Sequence, residues 1–134
     1  MVYEVEIEGT LPTYVDYEFV WADRGLKAAR AQRERAIERI VSCIEKLEDL
    51  KKIDRKAYIG IIWIRPEMNL RQEAVGYAKR IVESALIRAG VIDPGHIHEF
   101  YDLGFAFSAH RPRTIVLITD DQDEILSRMG FIYA

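Results

Sequence analysis

The chain has one cysteine, Cys43, so no internal disulfide is possible and nothing in its thiol usage points to export. Its apolar runs fall far short of the roughly 20 residues a membrane helix needs. The opening "MVYEVEIEGT" lacks the basic start and apolar core of a signal peptide, so the expectation is a cytoplasmic protein. No glycine-rich phosphate loop, serine–histidine nucleophile pair, internal repeat or low-complexity tract is visible. Excess positive charge is missing too. Lys and Arg number 19 against 22 Asp and Glu, a net charge of −3, which gives no global attraction for nucleic acid.

What is present is a folding composition. The hydrophobic fraction of 49% and charged fraction of 31% exclude a disordered chain, and 134 residues fit one domain, 1–134, with a real core. Charge is polarised along the chain. Arg24, Lys27, Arg30, Arg33, Arg35 and Arg39 crowd one segment against Glu34 and Glu38. The acids concentrate in "EVEIEG", "EKLED" and "DDQDE".

Periodicity predicts the elements. "YEVEIEG" alternates, with Tyr3, Val5 and Ile7 on one face, and reads as a strand closed by Gly9. "TLPTYVDYEFVWADRG" reads as an irregular segment lying on the core. Arg24–Lys51 reads as a long helix, with Leu26, Ile37, Ile40, Val41, Ile44 and Leu47 at threes and fours and Asp23 as its cap. "AYIGIIWIR" is a near-continuous apolar run, expected as a strand buried on both faces. Leu70–Ala89 is a second helix, capped by Asn69 and stopped by Gly90, followed by a "DPG" turn. "HIHEFYDLGFAFSAH" and "TIVLITD" read as a hairpin, and "DDQDEILSRMG" as a short helix ended by Gly130. The expected fold is α/β (α+β): a small mixed β-sheet with two main helices packed on it, order β-α-β-α-β-β plus a short C-terminal helix.

Between residues 2 and 119 this layout resembles the RusA-type Holliday-junction resolvases (endodeoxyribonucleases) of phages and prophages. "IEGTLPTYVDYEF" resembles the family's opening strand and proline-containing loop, and "RGLKAARAQRERAIERIV" its basic helix. The family signature is Asp-x-Asp-Asn, a lysine three residues on, a helix, a glycine turn and an Asp-Asp pair. Aligned on Lys79, the first aspartate falls on Glu73, the second on Val75 and the asparagine on Gly76. The Asp-Asp pair falls on Asp93 and Pro94, or on Pro94 and Gly95 with a one-residue shift.

The resemblance implies a homodimer that binds branched DNA, with Glu73 and Asp93 as ligands of Mg²⁺ and Lys79 beside them as a catalytic residue. Mg²⁺ needs hard oxygen ligands held close together, to activate water and neutralise phosphate charge. Val75 and Gly76 bring no side-chain oxygen, so the implied endonuclease activity is weak or lost. The alternative is a catalytically dead protein-interaction module on the same fold, with a protein partner. Each residue also has a plain structural explanation. Glu73 suits the first turn of a helix, Lys79 stands four residues from Glu83, and Asp93 is a common turn residue before Pro-Gly.

The basic segment yields the candidate nucleic-acid contacts Arg24, Lys27, Arg30 and Arg33. Cations at a helix start oppose its macrodipole, and a bound phosphate relieves that repulsion. The alternative is that their long side chains splay into water at small cost. Tyr58, Trp63, Phe100, Phe105 and Phe107 stack bases or, more commonly for aromatics on strands, fill a core or an interface. His96 and His98 share a side if extended, but the pair has no third ligand nearby in sequence.

Overall fold

A computed structural model of the chain describes residues 2–66 and 75–133, the side chains of residues 98 and 129–133 excepted. The fold is mixed α/β. Strand β1 (Val2–Glu8) is followed by helices α1 (Tyr14–Arg24) and α2 (Leu26–Glu45). Strand β2 (Ala57–Arg65), helix α3 (Gly76–Arg88), strands β3 (Ile97–Phe107) and β4 (Arg113–Thr119) and helix α4 (Gln122–Tyr133) complete it. The strands form one four-stranded sheet in the order β1-β4-β2-β3. β4 is antiparallel to β1 and β2, and β3 runs parallel to β2.

Alternation decides which face each strand residue covers. Ile59, Ile61 and Trp63 of β2, Val5 and Ile7 of β1, and Val116 and Ile118 of β4 join one apolar cluster. Ile37, Ile40 and Ile44 of α2 and Ala78, Ile81, Val82, Ala85 and Leu86 of α3 pack into it. On the opposite face Leu103, Leu117 and Ile125 bring α4 onto the sheet. β2 is therefore apolar nearly throughout because helices cover both its faces.

Local signals place several ends. Gly90, at φ +76°, closes α3 with its amide on the Ile87 carbonyl while Val91 bonds Leu86, a Schellman arrangement that sends Val91 into the core. Asp93-Pro94-Gly95-His96 is a turn closed by the His96 amide on the Asp93 carbonyl at 3.1 Å, with Gly95 at φ +90°.

Other expectations are corrected. The segment after Pro12 is a helix, so the order is β-α-α-β-α-β-β-α. Thr13 starts it with a capping box: its hydroxyl accepts from the Asp16 amide, and the Asp16 carboxylate accepts from the Thr13 amide at 2.8 Å. The long helix expected over Arg24–Lys51 spans Leu26–Glu45, with Gly25 at its start, so Asp23 belongs to the preceding helix and is not the cap. The second helix is observed over Gly76–Arg88, and its expected start at Asn69 and Leu70 lies outside the described residues. The final strands are not a hairpin, because β2 lies between them. Gly130 does not end the last helix, whose backbone continues to Tyr133.

Candidate nucleic-acid interface

Helix α1 is held where its neighbours put it. The Arg65 guanidinium, buried at the end of β2, donates to the Leu11 carbonyl at 2.9 Å, and Arg39 donates to the Thr10 carbonyl at 2.8 Å. Leu11 itself is wholly buried. At its other end Gly25, at φ +95°, lets the chain turn straight into α2, a conformation that side chains with a Cβ rarely adopt. No α1 residue is fully buried, yet Tyr14, Tyr17 and Trp21 recur at helical spacing and meet one another. Tyr17 also packs against Tyr77 of α3, with ring centres 5.3 Å apart.

Those contacts leave an open cleft of about 760 Å³ between α1, α2 and α3. Tyr14 and Tyr17 line it from α1, Arg30, Arg33 and Glu34 from α2, and Gly76, Tyr77 and Arg80 from α3. Arg33 donates to the Ser84 hydroxyl at 3.2 Å. Among the described residues the one acid in the lining, Glu34, is taken up by Arg88, whose hydrogen bond holds its carboxyl below the usual range. Arg30, Arg33 and Arg80 therefore set the sign of the cleft. Burial pushes the Tyr77 phenol up, and its buried hydroxyl has no hydrogen-bond partner among the described residues. Val75 at the start of α3 has no side chain able to cap, and Gly76 beside it lines the cleft.

The predicted basic residues divide. Arg30 and Arg33 line the cleft; Arg24 and Lys27 do not. Arg24 occupies the last turn of α1, where a cation is favoured, and pairs with Asp23 at 3.4 Å. It is no longer a charge set against a dipole. Lys27 is exposed in the first turn of α2. Arg80, Tyr14, Tyr17 and Tyr77 were missed. Thr13-x-x-Asp16 after Pro12, and the 14, 17, 21 spacing, were the available signals.

Two of the residues aligned with the nuclease signature, Lys79 and Asp93, are each engaged by a different partner. Lys79 donates to Asp102 of β3 at 2.7 Å, not to Glu83. Asp93 pairs with Lys52 at 2.7 Å, and that hydrogen bond holds its carboxyl below the usual range. Lys79 and the C-terminal Arg88 stand roughly 13 Å apart along α3, and Asp93 lies beyond that end. Val75, aligned with the second aspartate, points wholly into the apolar cluster. Glu73 lies outside the described residues, among which no group of three or more His, Cys, Asp or Glu could hold a metal ion. Asp93, the one described residue among the implied ligands, is thus held in an ion pair with Lys52.

The aromatics expected to stack bases or fill the core take the second role in part. Trp63 is wholly buried and Tyr58 and Phe100 pack against the two cores, while Phe105 and Phe107 are exposed. Cys43 is half-buried against the core. Among the described residues no helix is long and apolar enough to cross a membrane. No protein-family model matches the chain, and no curated protein is significantly similar to it.

Proposed function

We propose that the protein binds nucleic acid by its phosphate backbone at the α1–α2–α3 cleft, as a RusA-like DNA-junction-binding protein with weak or lost Mg²⁺-dependent cleavage. The observation that carries this reading is the convergence of Arg30, Arg33 and Arg80 on one cleft of a net acidic chain, with the only acid among its described lining residues already paired. Backbone phosphates are the partners that such a cluster meets most favourably, and they dominate sequence-independent affinity.

The test is fluorescence anisotropy with a labelled four-way junction and a duplex, with and without Mg²⁺, at two salt concentrations. Arg30→Ala with Arg80→Ala should weaken binding to every sequence alike and flatten the log–log salt slope by roughly one unit per lost contact. Unchanged affinity would move the site elsewhere. No binding by the unmodified protein at low salt would sink this reading.

A second reading, an interaction module with a protein partner, is favoured by α1, where Val15 is 67% and Phe19 71% exposed. A homodimer belongs to the proposal as well. β3 is an edge strand with Phe105 and Phe107 exposed, and a symmetric partner would cover both its edge and these rings.

A further inference from the structure

We infer that the cleft takes an unpaired stretch of nucleic acid, a base lying on the Tyr14–Tyr17 shelf while the adjoining phosphates meet Arg30 and Arg80. This names the ligand class of the proposed site and rests on that reading.

Among the described residues the lining brings three arginines and three tyrosines together with Glu34 and Gly76, and the two sets recognise different parts of a nucleotide. Arginines alone suffice for a duplex, whose charge lies outside and whose bases are stacked inside. Aromatic rings become useful once a base is unpaired, because every base offers a π-face and stacking tolerates any sequence. Tyr14 and Tyr17 are close to parallel, with an interplanar angle of 24° and ring centres 6.2 Å apart. Tyr77 backs both, 6.3 Å from Tyr14 and 5.3 Å from Tyr17. Tyr14 remains 54% exposed, so it keeps surface for a base. Interaction with the Glu18 carboxylate, one turn on in α1, raises the Tyr14 phenol. The shelf is therefore braced before any ligand arrives.

The cleft volume of about 760 Å³ is within the range of sites that enclose small ligands, whereas a duplex groove-binding surface is convex or flat. Its described sides come from three helices. Base stacking on this shelf and phosphate pairing with arginines from α2 and α3 are compatible, since both groups line the same space.

The test compares a labelled oligothymidylate and an oligouridylate, each about fifteen nucleotides long, with a blunt duplex of equal length. Anisotropy at one salt concentration should show both single strands bound at least tenfold more tightly than the duplex. Tyr14→Ala with Tyr17→Ala should weaken single-strand binding roughly fivefold or more and leave duplex binding unchanged. Tyr14→Phe, which keeps the ring, should behave as the unmodified protein. Should the double variant fail to fold, Tyr14→Ala alone, at an exposed position, carries the comparison. Duplex binding as tight as single-strand binding would overturn the inference and leave the arginine reading standing. An equal loss on both probes in the tyrosine variants would also overturn it. No binding of any probe would overturn both. A difference between thymidylate and uridylate would specify DNA or RNA as the source of the unpaired strand and supports the inference in either direction.

Discussion

Lys79 donates to the Asp102 carboxylate at 2.7 Å while the Trp63 indole donates to its other oxygen at 3.0 Å. Asp102 is nearly buried, and Lys79 is only 25% exposed. This ion pair bolts α3 to the edge strand β3 over the wholly buried Trp63. Removing one partner leaves the other charge poorly solvated, which costs far more than a surface pair is worth. Lys79→Ala is expected to lower unfolding free energy by about 2–3 kcal/mol. Lys79→Met with Asp102→Leu should cost less than the two single changes added together. Urea unfolding of the four proteins measures this directly, and additive losses would show that the pair is not coupled.

Val75 gives a second prediction. It aligns with a family aspartate, but its side chain is wholly buried in the apolar cluster beneath α3. Restoring the motif with Val75→Asp and Gly76→Asn therefore should not raise metal affinity. A carboxylate there has to lose its hydration, and the expected outcome is a loss of a few kcal/mol, about 2–4 on the scale for uncompensated polar burial. Calorimetric titration with Mg²⁺ or Mn²⁺, beside thermal unfolding of the double variant, separates the cases. Tighter metal binding by a stably folded variant would show that this helix start can turn outward.

How much of this was legible follows from where each signal resides. The β1 alternation, the β2 apolar run, the Gly90 stop and the Asp93-Pro94-Gly95 turn are written within a few residues, and each was readable. Helix α1 was not, because Tyr, Val, Phe and Trp are indifferent helix formers and Pro12 looks like a breaker. Tertiary contacts of its tyrosines override that weak preference. The β3–β4 hairpin rested on adjacency in sequence. A strand as apolar as β2 needs neighbours on both edges, and that requirement inserts it between them. Half the candidate site was visible as a basic run containing Arg30 and Arg33. The other half depends on α1 being a helix and on α3 bringing Tyr77 and Arg80 to it.

Asp93 and Lys52 carry a pH prediction. The hydrogen bond from Lys52 depresses the Asp93 carboxyl below its ordinary value of 3.8. A depressed folded value means that the contribution is present above the unfolded value and is lost as pH falls through the folded one. The loss belongs at pH below 3.8 and leaves neutral pH untouched. Both side chains are about half exposed, so water screens the pair and the stability effect is small. The titration itself is the better readout. Carboxyl NMR should show the Asp93 midpoint moving upward in Lys52→Ala, and an unchanged midpoint would remove Lys52 as the cause.

Gly60 sits in the centre of β2 where no turn or positive φ demands glycine. Its requirement is space. A Cβ at this position would meet Leu103 Cδ1 at 2.5 Å and Ile125 Cδ1 at 3.1 Å. Those two side chains, with Leu117, are the buried residues that join α4 to its face of the sheet. Neither is an exposed end that can swing into water, since both are wholly buried. Glycine weakens a strand interior, so its use here implies that close packing of α4 matters more than strand propensity. Gly60→Ala is expected to destabilise by about 1–3 kcal/mol, the range for an overpacked core. Adding Leu103→Ala should relieve the clash, so that the double variant loses less than the sum of its parts. Full additivity, or an unchanged unfolding midpoint for Gly60→Ala, would mean that α4 shifts to make room and that its seat on β2 is loose.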